Sequence, residues 1–119
     1  MSRSTDAVGA YGERVAARAL GDAGLSIIEQ NWRCATGEID IVALDGPTLV
    51  FCEVKTRRTN RFGTPAEAVD ESKVRRLRQL AAQWLAEAGL RPGGVRFDVV
   101  SVLPQRRGAA RVEHVRGAF

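Results

Sequence analysis

The stretch GEIDIVALDGPTLVFCEVKTR, residues 37–57, decides how this chain folds. It reads as two strands joined by a turn. Alternation along "EIDIVAL" puts Ile39, Ile41 and Ala43 on one face and Glu38, Asp40 and Val42 on the other. "DGP" is turn chemistry. "TLVFCEVKTR" is the returning strand, with Leu49, Phe51, Glu53 and Lys55 on one face. If residues 45–48 make the loop, Leu44 faces Leu49, Asp40 faces Glu53 and Glu38 faces Lys55. Directly opposed Cβ atoms stand about 4.5–5.5 Å apart. Two carboxylates that close repel, more so under partial burial. Glu53 lies among Val50, Phe51, Cys52 and Val54, residue types that fill sheet interiors, where an unpaired carboxylate is costly. Protonation of one acid, neutralisation by Lys55, or a divalent cation would relieve the pair. Lys55 brings one charge against at least two, and a hard cation with oxygen ligands, usually Mg²⁺, fills the deficit.

Outward from the hairpin, the pattern alternates helix and strand. Ser4, Thr5 or Asp6 can cap a first helix whose stripe is Val8, Tyr11, Val15 and Ala19, with Glu13 on its flank. Gly21 and Gly24 end it. Leu25–Arg33 reads as a strand before the hairpin. After the hairpin comes the loop "RTNRFGTP" (58–65) and a short helical turn over 65–69. The clearest helix covers Glu71–Glu87, with Val74, Leu77, Ala81, Trp84 and Ala88 as its apolar stripe. "VRFDVVSVL" (95–103) is a fourth strand and "RVEHVRG" (111–117) a weaker fifth, separated by the loop "PQRRGAA". The order αβββαβ(β) joins a meander to a helical crossover, which makes an α/β fold with a mixed central sheet flanked by helices. The chain reads as one domain over 1–119, its core about 6–103 and its end, 104–119, a loop and a weak strand.

The 119 residues suit one domain, 45% of them hydrophobic and 27% charged. Two cysteines, Cys34 and Cys52, form no metal-binding spacing, so free thiols in a cytoplasmic protein fit best. The N-terminus has no apolar signal segment, and no apolar run reaches the ~20 residues of a membrane helix. The net charge of +4 is unevenly spread: residues 1–52 carry 4 basic and 7 acidic residues, residues 53–119 carry 14 and 7. Sixteen of the eighteen basic residues are Arg, whose planar fork suits bidentate phosphate contact. Clusters at 55–61 and 73–78 flank the acidic site and point to a polyanion partner. A cation, two carboxylates, a lysine and an arginine-rich surround describe metal-assisted phosphodiester hydrolysis.

Asp40 followed by Glu53-Val54-Lys55 resembles the D…(D/E)xK signature of the PD-(D/E)xK nuclease superfamily, which includes restriction endonucleases and Holliday junction resolvases. More closely, "GERVAARAL" (12–20), "NWRCATGEIDIV" (31–42), "LVFCEVKTR" (49–57), "FGTPAEAV" (62–69) and "RFDVVSV" (96–102) resemble the YraN-like family of that superfamily. The resemblance covers residues ~9–103 and implies a restriction-endonuclease-like αβββαβ core. It implies that Asp40 and Glu53 are metal ligands for Mg²⁺ or Mn²⁺, that Lys55 orients or activates the attacking water, and that Glu13 completes the site. The Pro that precedes the Asp in the superfamily is Ile39 here. The implied activity is a Mg²⁺-dependent endonuclease acting on nucleic acid, DNA ahead of RNA, with branched DNA among the candidates and a two-fold homodimer suited to a junction. A binding module without cleavage, and an adaptor for an acidic protein, are the alternatives.

Thr56, Arg57, Arg58 and Arg61 follow the lysine and are candidate phosphate contacts, as are Lys73 and Arg76 on the second helix. Asp98 reads as a partner of Arg96 or a loop cap rather than a metal ligand. Trp32 and Trp84 read as core or core edge.

Overall fold

The computed structural model describes residues 7–57 and 70–119. The expected cap at residues 4–6, the helical turn at 65–69, and Arg58 and Arg61 lie outside them. The elements are α1 (Ala7–Asp22), β1 (Ser26–Cys34), β2 (Gly37–Asp45), β3 (Thr48–Thr56), α2 (Glu71–Ala88), β4 (Gly94–Leu103) and β5 (Arg111–Val115). One five-stranded sheet has the order β1-β2-β3-β4-β5. β3 and β4 are parallel, and the other neighbours are antiparallel. The parallel step is the one that α2 spans, because strands running the same way need a long crossover. The mixed α/β sheet with flanking helices is the architecture expected from the element order. Among the described residues no helix is long and apolar enough to cross a membrane.

Alternation along the strands feeds two cores. Ile41, Ala43, Val50, Cys52, Val54, Val100 and Val102 pack with Ala16 and Leu20 of α1. Val42, Leu49, Phe51 and Phe97 pack with Leu77, Leu80, Ala81 and Trp84 of α2. Ile39 departs from the expected alternation. It belongs with Val42 on the α2 side, not with Ile41 and Ala43. The strand therefore turns its side chains over near Asp40, where its pairing with β3 ends.

The helix faces also differ from the apolar stripes read off the sequence. The buried line of α1 is Gly12, Glu13, Ala16 and Leu20, while Val8 is 46% exposed. Counting apolar side chains misses this face because its closest approach is made by a residue without one. A Cβ on Gly12 would stand 2.8 Å from Thr56 Cβ, so glycine is what lets α1 lie against the end of β3. Rotating the stripe brings Glu13 from its expected flank position to the interior. In α2, Leu80 is buried and Ala88 is exposed. Asp70 caps α2, accepting from Lys73 N at 2.9 Å and Ser72 Oγ at 2.8 Å. Gly89 ends it in the left-handed region at φ 67.

The C-terminal residues are latched to the sheet by Asp98, which is fully buried. Its oxygens accept from Arg96 Nε at 2.8 Å and Nη2 at 3.0 Å, and from the Gly117 N–H at 2.9 Å. His114 Nε2 lies 2.7 Å from Oδ2. Phe119 stacks on Phe97 at 5.5 Å between centroids. Asp98 binds Arg96, as its place in "RFDVV" suggested.

Candidate functional site

The site lies where the hairpin opens. The β2–β3 ladder keeps the expected register from Asp45–Thr48 to Ile41–Cys52 and stops there. Asp40 and Glu53 are therefore not a ladder pair. In place of the next rung, Asp40 Oδ2 accepts the Val54 N–H at 2.8 Å. Both acids are buried, Asp40 at 1% and Glu53 at 5% exposure. They line one cavity of about 270 Å³ with Gly37, Glu38, Lys73 and Arg76. A second cavity of about 300 Å³ adjoins it. Glu53 and Lys73 line both, and Lys55, Thr56, Arg57 and the first turn of α1 complete the second.

Glu53 organises the charges. Its Oε1 lies 2.7 Å from Lys73 Nζ and 3.4 Å from Lys55 Nζ. These are the only lysines in the sequence. Burial is the main influence lowering the Lys55 pKa, and neighbouring Lys73 adds to it while Glu53 opposes. Burial also acts to lower the Lys73 pKa, but Glu53, Lys55 and the charge of Asp40 outweigh it and raise it.

The open ladder also corrects one expected pairing. Glu38 does not face Lys55. It is the cross-strand partner of Arg33, whose Nε donates to its Oε2 at 3.1 Å. The reason is the open ladder, since Lys55 lies beyond the last β2–β3 pair. Lys73, a candidate phosphate contact on α2, points onto Glu53. Arg76, one turn on, lies at the cavity beside Asp40 and Glu53.

The remaining candidates are spread around this centre. Glu13 is buried on α1 next to Gly12 and is not among the residues lining either cavity. Among the described residues no three of His, Cys, Asp and Glu gather closely enough to hold a metal ion. Thr56 lines the second cavity, but its Oγ1 is buried over Gly12 with no hydrogen-bond partner among the described residues. The Arg57 N–H extends the sheet to Val102 O at 2.9 Å, and the residue lines the second cavity.

Lys73 is the residue whose role the sequence reading missed. One signal pointed to it. It stands in the first turn of a helix, where the macrodipole favours acids over bases. A partner outside the helix offsets that cost for Lys73.

Known proteins give the chain a family. Residues 12–102 match the family described as "Uncharacterised protein family UPF0102". A UPF0102 protein of Beutenbergia cavernae is 61% identical over 115 residues, covering 97% of this chain and 98% of that protein. One of Streptomyces griseus is 59% identical over 112 residues, covering 93% and 94%. One of Frankia alni is 56% identical over 117 residues, covering 98% of each. This is the YraN-like group whose segments run through the sequence, and the chain belongs to the UPF0102 family.

Proposed function

We propose that this protein binds nucleic acid and hydrolyses its phosphodiester bonds at the Asp40–Glu53–Lys55 site with a divalent cation, as a member of the PD-(D/E)xK superfamily. One observation carries the reading: two buried carboxylates line one cavity with Lys73 and Arg76, and Glu53 joins it to a second cavity lined by Lys55 and Arg57. Asp40 and Glu53 are hard oxygen donors and suit Mg²⁺ or Mn²⁺ once Lys73 leaves Glu53. When bound, such a cation supplies charge stabilisation for the phosphate. Arg57 and Arg76 hold the backbone by its phosphates. Lys55 orients the water by a hydrogen bond. The water oxygen gives up a proton to solvent and bonds to phosphorus, the bond to the departing sugar oxygen breaks, and that oxygen takes up a proton from solvent.

The test is incubation with structured and single-stranded DNA and RNA, with Mg²⁺ or Mn²⁺ and with chelator. Metal-dependent cleavage that Glu53→Gln abolishes is the expected result. A second reading, binding without cleavage, is favoured by the balance of two acids and two lysines without a cation. Salt-sensitive binding with no cleavage under any of these conditions would select it.

A further inference from the structure

We propose that Lys73 is the resident counter-ion of the Asp40–Glu53 pair and that a divalent cation enters by displacing it. The inference rests on the proposed metal site and adds a competitor built into the chain. The first support is a charge count. Asp40, Glu53, Lys55 and Lys73 sum to zero if all are ionised. A divalent cation added to that set leaves two positive charges in excess beside buried carboxylates, where like charges interact strongly. One ammonium must withdraw.

Geometry selects which. Lys55 sits on β3, whose backbone is fixed by pairing with Ser101 of β4. Its side chain is 21% exposed and lies 3.4 Å from Glu53. Lys73 makes the shorter bond, 2.7 Å, but its side chain is 32% exposed and enters from a helix end. Its flexible four-carbon stem can carry the ammonium into water. The helix dipole at that end also favours its leaving. The composition supports the same assignment. Sixteen of eighteen cations in this chain are Arg, and both lysines stand at Glu53. An Arg at 73 could grip the carboxylate through two N–H groups, whereas a lysine holds it as a point charge that a cation can replace.

The experiment measures Mn²⁺ binding by electron paramagnetic resonance of the free ion, with thermal melting in chelator and in Mn²⁺. It uses the full chain as wild type, Lys73→Met, Lys73→Arg and Asp40→Asn. Lys73→Met keeps the length and removes the charge. It should bind Mn²⁺ about tenfold more tightly than wild type. It should also melt lower than wild type in chelator and regain the loss in Mn²⁺. Lys73→Arg, which keeps the charge and guards against a folding artefact, should bind Mn²⁺ more weakly than wild type. Asp40→Asn should lose binding. Lys73→Met binding no tighter than wild type overturns the proposal, and so does absence of Mn²⁺ binding by every protein. Tighter binding by Lys73→Met with no cleavage by any variant leaves this inference standing and removes the nuclease reading. Metal-dependent cleavage by wild type without tighter binding by Lys73→Met does the reverse.

Discussion

Asp40 holds the opened hairpin together as well as facing the cavity, so its substitutions separate two roles. Its Oδ2 takes the Val54 N–H that the ladder leaves without a rung. Asp40→Ala strands a buried donor and should cost about 1–3 kcal/mol in a urea titration with chelator present. Asp40→Asn keeps an oxygen for that N–H and should lose clearly less. Equal losses in the two variants would mean that the Val54 bond is not what Asp40 contributes to the fold. The sequence made the acids legible at this scale, because Glu53 stands inside an apolar strand and one turn fixes the register. It did not show that pairing ends one rung before them. That depends on the strand turning over at Ile39, which alternation alone cannot predict. Nor did it show Lys73, since periodicity tells the polar side of a helix from the apolar side but not which polar residue reaches the sheet.

Helix α1 and the β4–β5 latch are governed by contacts that local pattern does not carry. Gly12 and Gly21 lie in the same helix and should respond oppositely to alanine. At Gly21 nothing stands within 4 Å of an added Cβ, so Gly21→Ala should stabilise by up to ~1 kcal/mol. At Gly12 the added Cβ meets Thr56, and Gly12→Ala should destabilise by about 1–3 kcal/mol through displacement of the helix from β3. Matching shifts in the two melting curves would reject the close packing of α1 on β3. The latch has a pH signature. Burial works to raise the Asp98 pKa, but bonds from His114, Arg96 and the Gly117 N–H overcome it and bring it from 3.8 to about 2. A carboxylate with a depressed folded pKa adds stability above its unfolded value and loses it as pH falls through the folded one. The window is therefore pH 4 down to 2, and the contribution about 2 kcal/mol. Asp45 and Asp70 are also lowered, by Arg96 and by the Lys73 N–H respectively, so the informative quantity is wild type minus Asp98→Asn. That difference should shrink across the window, and a constant difference would show that Asp98 acts by packing alone. The fifth strand read as weak because its anchor is sixteen residues away, outside any local window.

At the scale of the whole molecule, the arrangement of charge decides whether a polyanion finds the site or merely the protein. Residues 53–119 hold 14 of the 18 basic residues, and Arg57 and Arg76 stand at the two cavities that share Glu53. Arg91 carries the same charge beyond the far end of α2, a helix of 18 residues and so about 27 Å long. Fluorescence anisotropy with labelled DNA, over a series of salt concentrations, compares Arg57→Ala, Arg76→Ala and Arg91→Ala. Removing an arginine that neutralises a phosphate should weaken binding and flatten the plot of log affinity against log salt by about 0.7–0.9, because fewer counterions are released. Arg57→Ala and Arg76→Ala should each show this change, and Arg91→Ala should leave the slope where it was. An equal flattening in all three would assign binding to net charge spread over the surface, with no role for the site. No flattening in any of them, with affinity unchanged, would remove nucleic acid as the partner and leave the carboxylate–lysine centre to another ligand.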